Sequence, residues 1–410
     1  MLNNTINHNQ LQEWTSIVTE QLPLLTKPQA TVLALLSFGM VLVKSCALTS
    51  VGLTLAVLLG VKENTIRQRL REWCYNQKDK KGLKRSQLHV ESCFPFLLRW
   101  IISWWNGNQL ALAVDATTLK DVFTVLAVSV VYRGCAIPVA WTILEGNQKR
   151  AWTEEWLRML AGLKPGIPED MTVMVMTDRG LYSPRLFRAI CGKGWHPFMR
   201  VNARGYFYAE GTGYFRPLPS FAPKPGTYYK GRGIAFKKNK VKCTLLACWE
   251  EGMKEQWFIL TDLPPEASEA CWYGMRAWIE QGFRMTKRGG WQWHRSRMKE
   301  PDRASRVWLA ISVTTIWLLS AGGEADQSIP ESTFLEVTAD LMEMKQQRKT
   351  TRLRFVRRIH RISVFRRGWI AIFVSLIHHQ SLPLSRFIPE PWTRISNRYL
   401  NIGKQKAMKC

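Results

Sequence analysis

Trp272–Arg297 reads WYGMRAWIEQGFRMTKRGGWQWHRSR. At about 100° per residue, Tyr273, Arg276, Glu280, Arg284 and Lys287 fall on one stripe of a helix. Trp278, Ile279, Phe283 and Met285 turn away from that stripe and supply apolar flanks for packing. Gly282 costs such a helix about 1 kcal/mol, and Gly289-Gly290 is a natural stop. A single Glu among cations on one stripe suits a metal or phosphate site. The same pattern also describes a solvated charged face.

The rest of the chain favours a polyanionic partner. Its 410 residues carry a formal charge of +27 and a pI near 10.0. That is far from the balance of an enzyme for small neutral substrates and points to nucleic acid or an acidic membrane surface. The length allows two or three domains with a substantial core. The nine cysteines are scattered and form no CxxC pair, which argues against a zinc ribbon and for a reducing cytosol. The N-terminal MLNNTINHNQ lacks the basic start of a secretory signal.

Upstream, residues 30–61 are apolar but interrupted by Lys44, and buried helices of a small domain suit them better than a membrane span. Residues 50–73 read as helix, turn, helix, with Gly60-Val61 at the turn and Arg67, Arg69 and Arg71 on the second helix. That is the pattern of a helix-turn-helix, in which basic side chains reach phosphates and base edges. An ordinary helical hairpin with a basic face is the alternative. Residues 76–88 form a basic linker, and the first domain is expected to span residues 1–105.

QLALAVD (109–115) and MTVMVMTD (171–178) are apolar runs that suit buried strands, and each ends in an aspartate. Between them, Val122–Tyr132 and Ala136–Leu144 are expected as a hairpin turning at Arg133-Gly134, followed by a helix over Ala151–Leu163. A helix and a strand at Trp195–Val201 follow Asp178. Three antiparallel strands, then helix, strand, helix and strand, is the order of an α/β fold of the ribonuclease-H-like (retroviral-integrase-like) kind. Its core is expected over 106–201 and 265–325. The intervening 202–264 are rich in Gly, Pro and Tyr and contain VKCTLLACW and QWFILTDLP, so they read as a β-rich insertion.

Past the stripe, Asp302–Ser320 is an apolar helix backing the core. Lys345–Arg367 holds ten Lys or Arg and no acid, interleaved with apolar residues. This suits the DNA backbone, although a membrane-surface helix looks similar. Residues 326–410 form a basic C-terminal region whose tail, 381–410, is expected to be loosely ordered.

The spacing Tyr273-x2-Arg276-x3-Glu280-x6-Lys287 resembles the Tyr-Arg-Glu-Lys signature of bacterial insertion-sequence transposases of the family-four type, and the following GWQWHRSRMKEPDRASRVWLAI is similar to that family too. The resemblance covers about residues 105–320. It implies a DDE transposase whose catalytic and metal-ligating residues are Asp115, Asp178 and Glu280, holding two Mg²⁺ or Mn²⁺ ions. It implies that Tyr273, Arg276 and Lys287 hold phosphates, with Arg284, His294 and Arg295 as further DNA contacts. Its partners are then double-stranded DNA, both terminal inverted repeats and target, bound by a homodimer in the prokaryotic cytoplasm at the nucleoid, with no membrane. A ribonuclease-H-like nuclease without strand transfer and a non-catalytic DNA-binding relative are the rivals.

Overall fold

A computed structural model of the chain describes residues 4–81, 86–146, 148, 152–251, 253–327 and 362–392. The run QLALAV begins strand β1 (Gln109–Leu119), which pairs antiparallel with β2 (Phe123–Tyr132); β2 in turn pairs with β3 (Cys135–Glu145). Every residue of β2 is buried, so helices cover it on both faces and its sequence lacks polar alternation. Helix α6 (Thr153–Leu163) leads to β4 (Thr172–Thr177), parallel to β1. Helix α7 (Pro184–Cys191) leads to β5 (His196–Arg200), parallel to β4. The architecture is mixed α/β and consistent with a ribonuclease-H-like fold.

Residues 202–264 extend this sheet. They hold β6 (Tyr206–Ala209), β7 (Arg216–Pro217), β8 (Thr227–Ala235), β9 (Val241–Trp249) and β10 (Trp257–Thr261). β10 pairs antiparallel with β5, giving one ten-stranded sheet in the order β3-β2-β1-β4-β5-β10-β9-β8-β6-β7. The free edge of β5 is thereby covered, which an unpaired run of backbone donors and acceptors requires.

The N-terminal helices are α1 (Asn4–Gln21), α2 (Lys27–Val43), α3 (Leu48–Leu59), α4 (Glu63–Cys74) and α5 (Phe94–Ser103). Thr26 caps α2 through a reciprocal pair of bonds with Gln29, and Gly60 ends α3 with φ 64°. They share one core with the sheet through α9 (Pro301–Gln327). Trp14 stacks on Trp317 at 4.1 Å, while Ser312 Oγ donates to the Pro138 carbonyl of β3 at 2.6 Å. The window that makes α9 long and apolar enough to cross a membrane is 94% buried within the protein. α2 and α3 reach that hydropathy only as a pair, and they meet at 95°.

Two expectations change. The stripe from Tyr273 to Lys287 is not on one α-helix: Ala270–Ala277 is 3₁₀, α8 (Trp278–Arg284) is α-helical and Met285–Gly289 is a π turn. The tail is docked as far as Trp392, because Phe387 is fully buried against Trp105 and Tyr132, and Trp392 packs on Trp272. Helix α10 (Val364–Ile377) packs on α9. Residues 345–361 of the basic segment and 393–410 of the tail lie outside the described residues.

Gly282 explains its own place in α8. A Cβ there lies 2.9 Å from Ala136 Cβ and 3.2 Å from its carbonyl oxygen, so glycine lets the helix bearing Glu280 settle on β3. Gly282→Val is expected to lower stability by about 3 kcal/mol through overpacking. Gly162→Val in α6, where an added Cβ meets nothing within 4 Å, is the control. Equal denaturation midpoints for the two variants would show that the close approach is unimportant.

Candidate active site

The strand register builds the site. β1 and β4 run parallel, with Val114 opposite Thr177 as the last pair. The next residues on the two strands are Asp115 and Asp178, so adjacent parallel strands deliver both carboxylates at the same level. Asp178 lies just past the carboxyl end of β4, where functional groups gather in α/β sheets, while β1 runs on past Asp115 to Leu119. Glu280 comes from α8, which rests on the sheet through Gly282.

The three carboxylates converge on Arg276. Its Nη2 lies 2.7 Å from Asp115 Oδ2 and 3.9 Å from Asp178 Oδ2, and its Nη1 lies 2.8 Å from Glu280 Oε1. The guanidinium side chain is 11% exposed, against 19% for Asp115, 38% for Asp178 and 55% for Glu280. Asp115 Oδ1 also accepts from the Ala116 N–H at 2.9 Å, and Asp178 Oδ1 from the Arg179 N–H at 2.8 Å. Among the described residues, no three His, Cys, Asp or Glu side chains are arranged to hold a single ion. Arg276 stands where such an ion would be expected.

Burial raises the Asp115 carboxyl from its usual 3.8 to about 6, with Arg276 only partly opposing the rise. Burial also works against the Arg276 cation, but Asp115 and its other neighbours outweigh it and hold the guanidinium above its usual value. The Asp115 shift has a stability sign. The folded state binds the proton more tightly than the unfolded chain, so stability from this group is present below pH 3.8 and lost as pH rises through about 6. Asp115→Asn is therefore expected to stabilise the metal-free protein at pH 7 by roughly 2–3 kcal/mol, and to change little at pH 4. Paired thermal melts at the two pH values measure this; an equal shift at both would contradict the assignment of cause.

The remaining stripe residues divide. The buried Tyr273 hydroxyl donates to the Thr177 carbonyl at 3.2 Å and lies 3.4 Å from Asp178 Oδ1, so it steadies the end of β4. Lys287 is half-buried, and burial and then Arg288 pull its ammonium below the usual value, with Asp115 pulling the other way. His294 Nδ1–H donates to the Lys287 carbonyl and so pins the π turn. Arg284 and Arg295 are exposed. In the N-terminal pair of helices, Arg69 and Arg71 are exposed. Arg67 is half-buried and bonds Asn64 at 2.8 Å and Glu63 at 3.5 Å on its own helix, which removes it from the free cations of that face.

A second charged cluster beside the carboxylates escaped the sequence reading. Glu255, in the β9–β10 turn, accepts from Arg200 at 2.7 Å and from Arg179 at 2.9 Å. These pairs hold its carboxyl below the usual range, with the Arg200 hydrogen bond as the largest cause. Arg200 ends β5 and lies 5.9 Å from the Trp257 ring centroid; Trp257 meets Tyr273 edge-on at 5.2 Å. A basic residue at the carboxyl end of the strand beside β4 was the available signal for Arg200. Glu255 had none, because only the pairing of β10 with β5 brings its turn back to the site.

Residues 106–318, just over half of the chain, match the family model for the transposase DDE domain. None of the curated proteins searched is similar to the chain. The chain belongs to the DDE transposase family.

Proposed function

We propose that this member of the DDE transposase family cuts DNA at the ends of an insertion element and joins those ends to target DNA. The observation that carries the proposal is the convergence of Asp115, Asp178 and Glu280, from two adjacent strands and one helix, on a single cationic position. The order β3-β2-β1-β4-β5 supports a ribonuclease-H-like core, and the Tyr273-Arg276-Glu280-Lys287 spacing supports the family-four type. In this reading residues 1–105 bind the element ends. Residues 106–201 and 265–325 form the core, 202–264 the β-rich insertion, and 326–410 a basic C-terminal region whose segment 345–367 suits the DNA backbone of a dimeric complex.

Enzymes of this family use divalent metal ions, and the donor set fits one chemically. Three hard carboxylate oxygens gathered about a position already taken by a cation suit Mg²⁺ or Mn²⁺. Asp115, Asp178 and Glu280 would hold the ions. A bound pair supplies an activated water or 3′-hydroxyl and takes up charge on the leaving oxygen. The protein's own groups position the strand. Arg276 has a planar fork suited to two phosphate oxygens, and Lys287 is a point charge held in place by His294. Tyr273 fixes Asp178 through its hydroxyl.

The test uses purified full-length protein, Mg²⁺, duplexes carrying the element's end sequence and a supercoiled plasmid. Element ends covalently joined to plasmid are expected. Cleaved ends without joining would favour a nuclease, and binding without cleavage a non-catalytic DNA-binding protein.

A further inference from the structure

A cleft of ≈ 330 Å³ opens where the N-terminal helices meet the segment that follows the catalytic helix. Leu48 at the start of α3, Arg71 and Cys74 at the end of α4, and Arg297–Glu300 with Arg303 of α9 line it. Four of those side chains are cations and one is an acid. Arg303 is engaged: it lies 3.0 Å from Glu300, 3.6 Å from Asp79 and 4.5 Å from the Tyr75 ring centroid. Arg71, Arg297 and Lys299 make no ion pair among the described residues. Arg297 is also held at φ 53°, in the left-handed region that non-glycine residues rarely adopt. Cations kept around one cavity repel one another, and an anion between them relieves that cost.

The walls are tied together. Arg306, 2% exposed, donates from α9 to the Cys74 carbonyl at 2.7 Å and to Asn76 Oδ1 at 2.8 Å, closing the C-terminal end of α4. The Cys46 N–H, just before α3, donates to the Trp291 carbonyl at 2.7 Å. The helix-turn-helix-like pair and the segment after Lys287 are thus one fixed body at this seam. An anion seated there is held at a set position relative to both.

We propose that this cleft seats a backbone phosphate of duplex DNA, with Arg71, Arg297 and Lys299 as its ligands, fixing the strand between α4 and the carboxylates. The proposal rests on the DNA reading above and adds a site to it. A phosphate contact carries no sequence information, so it sets register rather than specificity.

The experiment compares full-length wild type with Arg297→Gln/Lys299→Gln, both exposed positions, in binding a labelled element-end duplex and a random duplex across a salt series. Losing the hold on one phosphate is expected to flatten the slope of log K against log salt by about 1 for both duplexes. The control is Lys164→Gln/Lys193→Gln. Those lysines precede β4 and β5 at the strand ends opposite Asp178, and their loss should leave the slope unchanged. An unchanged slope in the cleft variant, or an equal change in the control, overturns the proposal. Inorganic phosphate is the second arm: millimolar phosphate that binds wild type and not the variant, with duplex slopes unaltered, marks a free-anion site and overturns it too. Wild-type protein that binds neither duplex removes the DNA reading itself, and the cleft assignment with it.

Discussion

Asp115→Asn, Asp178→Asn and Glu280→Gln are each expected to reduce cleavage and joining of element ends by roughly 10³-fold or more, because each removes one ligand from a shared unit. The expectation follows from geometry. The β1–β4 register sets Asp115 and Asp178 side by side, and Arg276 reaches Asp115 at 2.7 Å and Glu280 at 2.8 Å from one guanidinium. Groups that share one centre act jointly, so the double variants should be little worse than the single ones. DNA binding should survive, since the basic surface is untouched. Asp121→Asn and Glu145→Gln, both exposed and outside the cluster, serve as controls and should retain activity. The Asp115 variant carries a second signature: it loses activity while its metal-free form melts higher at pH 7.

Arg276 should behave in the opposite sense on stability and in the same sense on activity. Replacing it with Gln leaves three carboxylates gathered without their counter-cation, two of them more than half covered by protein. Removing one partner of a buried pair costs about 3–5 kcal/mol, and the solvent around Glu280 reduces that here, so a loss of about 2 kcal/mol at pH 7 is expected. Without Arg276 the Asp115 carboxyl rises further, so the loss should shrink as pH falls and the carboxylates take up protons. Arg276→Lys should not rescue cleavage, because one ammonium lacks the planar fork that reaches Asp115 and Glu280 at once. Wild-type turnover by Arg276→Lys, measured beside its pH-dependent melting, would reduce Arg276 to a structural cation.

How much of this was legible in the sequence differs by residue. Asp115 and Asp178 were legible because each follows a buried apolar run. Their adjacency was not, since it depends on which strands pair and in what register. Gly282 read as a helix defect and proved to be a packing requirement set by Ala136, a residue remote in sequence. The stripe from Tyr273 to Lys287 assumed uniform α-helical turns. Tertiary anchors overrode it: the Tyr273 hydroxyl holds one end to Thr177, and Gly290 packs against Phe365 at the other, so the winding passes from 3₁₀ through α to π. The stripe set Arg276 beside Glu280, but its contacts with Asp115 and Asp178 depend on how β1 and β4 pair. Glu255 and Arg200 escaped notice because their meeting requires β10 to pair with β5. Phe387 and Trp392 looked like isolated aromatics in a tail, and their anchoring depends on Trp105, Tyr132 and Trp272 far upstream.

The central claim is that Asp115, Asp178 and Glu280 form one cation-binding catalytic centre, and it is tested most directly by Mn²⁺ binding in the presence of an uncleavable element-end duplex. Electron paramagnetic resonance should show Mn²⁺ held by the wild-type complex. It should show that binding weakened at least about tenfold in each of Asp115→Asn, Asp178→Asn and Glu280→Gln, with Asp121→Asn like wild type. Equal Mn²⁺ affinity in wild type and in all three variants, on DNA that each of them binds, would contradict the account.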